Sequence, residues 1–299
     1  MRSSGPRSLA AADTLAAPDA SAAHSPHPEQ TELLARIARV VTSLLIWCGL
    51  LIIFVPLVLT LYLSLFNQQL IAFPPPGYTL AWYPAIVPNF GAAILTSLEL
   101  AFAAVVGSLA LGVPAGIALS RHRFRGRGVI STLLLSPLTV PGIALGLATY
   151  LFLVLIEVWT GVALTGSLPG LILAHLVITM PWVVRLCVAS LVNHDRAAED
   201  VAASLGARPF MVIWRVTLPA MRQGIIAAGL FAFIFSFGNL EMALFLVAPG
   251  ITTLPVAVLE YLEYHIDPLV AAVAVAQMIL VGGVMVVLDR FVRLGQVVR

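Results

Sequence analysis

Late in the chain, between two strongly apolar runs, lies Asp200-Val-Ala-Ala-Ser-Leu-Gly206, followed by nine residues and then Val216-Thr-Leu-Pro219. Over 196–205, Ala197, Ala198, Val201, Ala202 and Leu205 recur at the spacing of one helix face, and Arg196, Glu199 and Asp200 lie off it. Gly206 stands where a helix ends in the left-handed conformation, which costs glycine little. Pro209 opens a second helix, because its missing N–H is not needed there. In that helix Phe210, Ile213, Trp214, Thr217 and Leu218 share a face, and Pro219 is expected to end it. Two short amphipathic helices at a tight corner form a small rigid knob, which is a docking surface and not a catalytic site. An inert loop would have no reason to carry an ordered apolar face.

The sequence on either side of this knob is that of a membrane protein. Of the 299 residues 60% are hydrophobic and 10% charged, with mean hydropathy +1.02, whereas soluble domains carry about 25% charge. A spanning helix needs about 20 apolar residues. Six runs qualify, at roughly 40–66, 92–119, 130–156, 168–190, 224–247 and 269–288. The fold class is therefore all-α, a polytopic protein with six transmembrane helices. Residues 1–30 are rich in Ala, Ser and Pro and read as a disordered tail. They lack the core of a secretory signal, so the first span is expected to act as an uncleaved anchor of the domain 31–299. Prolines at 56, 114, 137, 141 and 181 fall within spans and read as kinks.

All 16 basic residues are arginine. A P-loop requires a lysine on the nucleotide phosphates, so ATP hydrolysis by this chain is not expected, and lysine Schiff-base chemistry is excluded. Arginines cluster at 121–128 and 191–223 and flank the first and last spans. The alternate segments 67–91, 157–167 and 248–267 have none. The positive-inside rule then predicts that both termini and the knob are cytoplasmic. Cys48 and Cys187 read as small core residues. No His/Cys/carboxylate group has metal spacing, no nucleophile–base set is legible, and neither a cofactor nor a nucleic-acid partner is expected.

Ionised groups inside spans are costly and are candidates for function. Glu99 in the second run and Glu241 in the fifth each fall roughly 10 Å below the outer surface at 1.5 Å per residue. With Asn239 beside Glu241, they suggest a cation-attracting portal in the outer half. The structural alternative is that backbone, Ser97 or Thr96 satisfies them. His175 reads as a satisfied bundle residue.

The knob resembles the EAA motif of importer-type ABC permeases: an acid, two small residues, a glycine six positions after the acid, then an aliphatic residue and Leu-Pro. Ala202, Gly206, Val216, Leu218 and Pro219 match. Asp200 stands where glutamate is usual and Val201 where the first alanine is usual. The resemblance covers roughly 85–292. Phe235-Ser-Phe-Gly-Asn-Leu-Glu-Met-Ala-Leu-Phe245, Thr253-Leu-Pro255 and Ile266-Asp-Pro-Leu-Val-Ala-Ala272 are similar to the spermidine/putrescine branch, in particular its second permease subunit. Many members of that branch carry acids where this chain has Gly238 and Asn239. The resemblance implies an inner-membrane permease working with two ABC ATPase subunits, a second homologous permease and a periplasmic solute-binding protein. It implies that Asp200, Ala202, Gly206, Val216, Leu218 and Pro219 couple to the ATPase, and that the substrate is a small organic amine, with opines and aminoethylphosphonate as alternatives. A self-sufficient secondary transporter or channel is the reading from another class, and it leaves the knob unexplained.

Overall fold

The computed structural model describes residues 28–68, 73–192 and 194–292. The expected tail lies outside them except for its last three residues, which begin α1, Pro28–Leu63. The chain divides into two units, Met1–Leu57 and Val58–Arg299. The described part of the first is a stretch of α1, apolar on every side and exposed from Leu44 to Val55 apart from the half-buried Gly49. A helix of that pattern suits a lipid environment.

The second unit continues with α2 (Trp82–Arg121), α3 (Arg127–Leu135), α4 (Gly142–Thr160), α5 (Leu168–Val192), α6 (Ala197–Ser204), α7 (Pro209–Val212) and α8 (Leu218–Ala220), and then α9 (Arg222–Phe237), α10 (Leu254–Tyr264) and α11 (Leu269–Val292). The only β-pairing among the described residues is two isolated bridges, so the all-α reading holds. Among the described residues five helices are long and apolar enough to span a membrane. A sixth is reached if the bent pair Pro209–Ala220 and Arg222–Phe237, which meet at 71°, is counted as one span.

Two expected spans change their limits. The run 130–156 is not continuous: α3 passes into a 3₁₀ turn at Ser136–Thr139, Val140 is extended, and α4 starts after Pro141. Two prolines four apart remove two ladder donors and force the break. The run 224–247 stops being helical at Phe237, where Gly238-Asn239 turn the chain. At 16 residues α9 is about 24 Å long, short of the roughly 30 Å hydrocarbon layer. Glu241 therefore follows a helix end and does not lie within a span.

The core is α2 packed along α5, with α9 against both. Ser108, Gly112 and Gly116 recur every fourth residue on α2 and are buried against α5. A Cβ at Gly112 would stand 2.7 Å from a Val183 methyl, and one at Gly116 2.7 Å from the Cys187 Cβ. Small residues at this spacing let helix backbones approach closely. A buried polar chain crosses the three helices. Thr179 Oγ1 donates to the His175 carbonyl at 2.7 Å, and Ser108 Oγ lies 2.6 Å from Thr179 Oγ1. His175 Nδ1 meets Ser236 Oγ at 2.9 Å, while its Nε2 is buried without a partner. His175 is thus satisfied at one nitrogen.

At the arginine-free end residues 64–66 are tied to residues 82–83. Trp82 Nε1 donates to the Phe66 carbonyl at 2.6 Å, and Tyr83 and Ser64 share a hydrogen bond of 2.8 Å. Ser97 Oγ accepts from Leu254 N at 2.8 Å, and Thr96 donates to the Ala92 carbonyl. Thr96 thus gives its proton to its own helix and not to Glu99 or Glu241, while Ser97 holds the first turn of α10. Asp267 also has structural work: it accepts from Tyr261 Oη at 2.6 Å and from Leu269 N at 3.0 Å.

Candidate functional site

The corner forms from its local sequence. α6 ends at Ser204, and Gly206 adopts φ +84°. The Ala207 N–H reaches the Ala202 carbonyl at 3.1 Å and the Gly206 N–H the Ala203 carbonyl at 2.9 Å, the paired bonds of a left-handed helix stop. Arg208 is extended and Pro209 opens α7. Pro219 does not end the second helix as expected. The π turn over Ile213–Thr217, in which the Leu218 N–H reaches back to the Ile213 carbonyl, displaces the hydrogen-bond ladder ahead of the proline. The helix runs on to Ala220, and the chain bends at the fully buried Met221.

The apolar residues of the corner divide into two sets. Ile213 and Leu218 turn inward and pack on the cluster that holds Val183, Cys187 and Met221, and Thr217 is buried beside them. Val201, Leu205, Phe210, Met211 and Trp214 face outward, Leu205 at 83% exposure and Phe210 at 72%. Phe210 and Trp214 lie 6.0 Å apart at their ring centres. Asp200 is exposed on the same corner, Ala202 and Val216 are half-buried, and Pro219 is exposed. The expected coupling residues therefore lie on one knob, with an apolar patch beside an unpaired carboxylate.

Glu199, next to Asp200, turns the other way. Its Oε1 accepts from Arg121 at the end of α2, with Nη2 at 3.1 Å and Nε at 3.2 Å, and from Thr217 Oγ1 at 3.0 Å. This is the one ion pair among the described residues. Sequence reasoning missed it because Arg121 lies 78 residues away.

A second site lies in a cavity of about 170 Å³. The break at Pro137–Pro141 and the chain after α9 supply one side of it, with Asn239 and Glu241; Trp182 and Phe235 supply another. Trp182 Nε1 is buried without a hydrogen-bond partner, and its ring lies 4.6 Å from Phe231 and under the Arg185 guanidinium at 5.8 Å. Gly142, the first residue of α4, is a close-approach position: a Cβ there would collide with the Glu241 carboxylate, and one at Gly146 would come within 2.6 Å of the Glu241 carbonyl. The carboxylate thus lies against a helix N-terminus, where the helix dipole favours negative charge. Asn239 Oδ1 accepts from Met242 N at 2.9 Å, closing the turn that carries Glu241.

Asn239 and Glu241 come together as expected. Glu99 does not join them: it is exposed on α2 and does not line the cavity. An acid not singled out by sequence, Glu157, closes the arginine-free end of α4 by accepting from the backbone of Leu164 and Thr165 and from the Thr165 hydroxyl. No group of three or more potential metal ligands occurs among the described residues.

Known proteins resemble the chain in both sequence and fold. The family model described as binding-protein-dependent transport system inner membrane component matches residues 108–294. The putrescine transport system permease protein PotI of Escherichia coli is 29% identical over 239 residues, 79% of this chain and 84% of its own. The molybdenum transport system permease protein ModB of Mycobacterium tuberculosis is 34% identical over 216 residues, 69% of this chain and 81% of its own. In fold, a chain of a bacterial ABC transporter that imports the acidic polysaccharide alginate superposes with TM-score 0.63 at 18% identity, covering 86% of this chain and 96% of that one.

Proposed function

The chain belongs to the family of binding-protein-dependent transport system inner membrane components, and from that premise we propose that it is one of two homologous permeases in an importer of a small organic amine. Membership makes it a multi-pass inner-membrane protein and the non-enzymatic permease of an ABC importer, with ATP hydrolysis on separate subunits and a substrate-binding protein as partner. The proposal adds two ATPase subunits, a second permease chain, cytoplasmic termini, and a substrate of the putrescine or spermidine kind.

The outward face of the corner carries the coupling part. Exposed apolar surface on a soluble-facing knob marks a partner site, and Val201, Leu205, Phe210 and Trp214 offer it beside Asp200. Arginine at this end and its absence at the other support a cytoplasmic corner. In the cycle, closure of the ATPases moves the two corners of the permease pair, and the spans swing between inward- and outward-open states.

The cavity supports the substrate reading. Trp182 and Phe235 offer ring faces, and Glu241 and Asn239 offer acceptors, to an ammonium group. One observation favours a second reading, an oxyanion. The α4 N-terminus opens on the cavity, and Arg185 lies beside it over Trp182; the relative ModB is named for molybdenum. Glu241→Gln separates the two. In proteoliposomes holding the complete importer, uptake of labelled putrescine is expected to fall about tenfold, one step of roughly 1.4 kcal/mol, with the ATPase still bound. Putrescine uptake unchanged by the substitution would remove Glu241 from the path. Molybdate uptake that rises would establish the oxyanion reading.

A further inference from the structure

We propose that Glu199 and Arg121 form a clamp that makes the corner and the end of α2 move as one body, so that a push received by the corner reaches the bundle through α2. The proposal rests on the docking reading of the corner given above.

The chain joins the corner to the bundle at both ends, to α5 before α6 and to α9 through the bend at Met221, and Ile213 and Leu218 seat its second helix against the core. The first helix, α6, buries no residue of its own, and what its side chains offer to α2 is a single carboxylate oxygen. Glu199 on α6 accepts from Arg121 on α2 and from Thr217 on the π turn, and so ties three elements at one point. The Arg121 and Glu199 side chains are 12% and 17% exposed, so water and salt screen the pair less than they screen a surface pair. Two backbone contacts run alongside: Arg196 Nη2 donates to the Ser120 carbonyl at 2.8 Å, and Arg121 Nη2 reaches the His194 carbonyl at 3.5 Å.

What lies beyond the clamp suits a rigid link. α2 is seated on α5 through Gly112 and Gly116 without room for a methyl group. Displacement of the α2 end therefore carries into the packed pair instead of being absorbed. Glu199 and Asp200 are neighbours with opposite tasks: one faces inward and holds α2, the other is exposed for the partner. Glu199 and Arg121 are thus positioning residues, acting through α2 and the π turn.

The test uses the complete importer with its ATPase, in a background where Cys48 and Cys187 are replaced. Spin labels are placed at Arg123→Cys and Arg208→Cys, both exposed. The distance between them is measured without nucleotide and after trapping with ATP and vanadate. The expected result is one distance in both states. With Glu199→Gln, the two states are expected to differ by about 2 Å or more, the size of helix shifts in switching proteins, while the ATPase remains bound. The exchange Arg121→Glu with Glu199→Arg should restore the single distance, which a merely destabilised corner would not do. A distance that changes between states in the unsubstituted importer, or stays fixed with Glu199→Gln, overturns the clamp and leaves docking intact. Failure of the ATPase to co-purify with the unsubstituted chain removes the docking reading and the clamp with it.

Discussion

The corner and the cavity are built by opposite means. Every bend in the corner traces to a residue within a few positions of it: Gly206 at φ +84° stops α6, Pro209 starts α7, and the π turn carries the chain past Pro219. The cavity exists because two helices stop early and distant segments meet there. Pro137–Pro141 interrupts the run before α4, Gly238-Asn239 ends α9, and Glu241 arrives over Gly142 from a hundred residues away. A locally coded element keeps its shape when its neighbours change. A site assembled from breaks depends on all of them, which suits a path that must open and close.

The sharpest way to break this comparison is Gly206→Val. A Cβ at positive φ costs roughly 1–2 kcal/mol and a β-branched one more, although no atom lies within 4 Å of where it would point. The penalty is therefore purely conformational and confined to the corner. Loss of ATPase from the purified complex and loss of uptake are expected, at normal membrane levels of the chain. Full ATPase recovery and unchanged uptake would show that the corner does not depend on its own backbone code.

Gly142→Val tests the other side. Its side chain would displace the Glu241 carboxylate, so uptake is expected to fall about tenfold with ATPase binding retained. Loss of ATPase binding instead would mean that cavity and corner are not separable. Asp200→Ala is milder. It removes one exposed charge, worth at most about 1 kcal/mol, and coupling measured as substrate-stimulated hydrolysis should drop no more than about fivefold.

The smallest effect lies outside both regions. Burial, and then the hydrogen bond to Asp267, push the Tyr261 hydroxyl from 10.0 up to about 12. A raised value favours the protonated form in the folded chain. The stability it contributes is complete below pH 10 and is lost as pH rises through about 12. A spectrophotometric titration should show one phenol ionising near that upper value, absent in Tyr261→Phe. If all phenols ionise together, the Tyr261–Asp267 contact does not hold in solution.

The sequence was most legible where structure is local. The six apolar runs, the left-handed Gly206 and the opening Pro209 need only periodicity and backbone chemistry. The continuous span over 130–156 was misread because hydropathy does not register missing N–H donors, and Pro137 and Pro141 sit in an unbroken apolar run. Pro219 was misread because a π turn leaves no mark in composition. Glu199 stood in plain view beside Asp200, but its role depends on Arg121, which only the tertiary fold brings to it. For the same reason Trp182 gave no sign that it would face Asn239 and Glu241.

The polar chain through the core also has a history during synthesis. His175 and Thr179 lie on α5, and the Ser236 hydroxyl that receives the imidazole is 61 residues further along. At ordinary elongation rates that interval is roughly 3 to 12 s. Ser108 on α2 is made before Thr179 on α5, so their bond needs nothing that comes later, whereas His175 has its Ser236 partner only once α9 has been made.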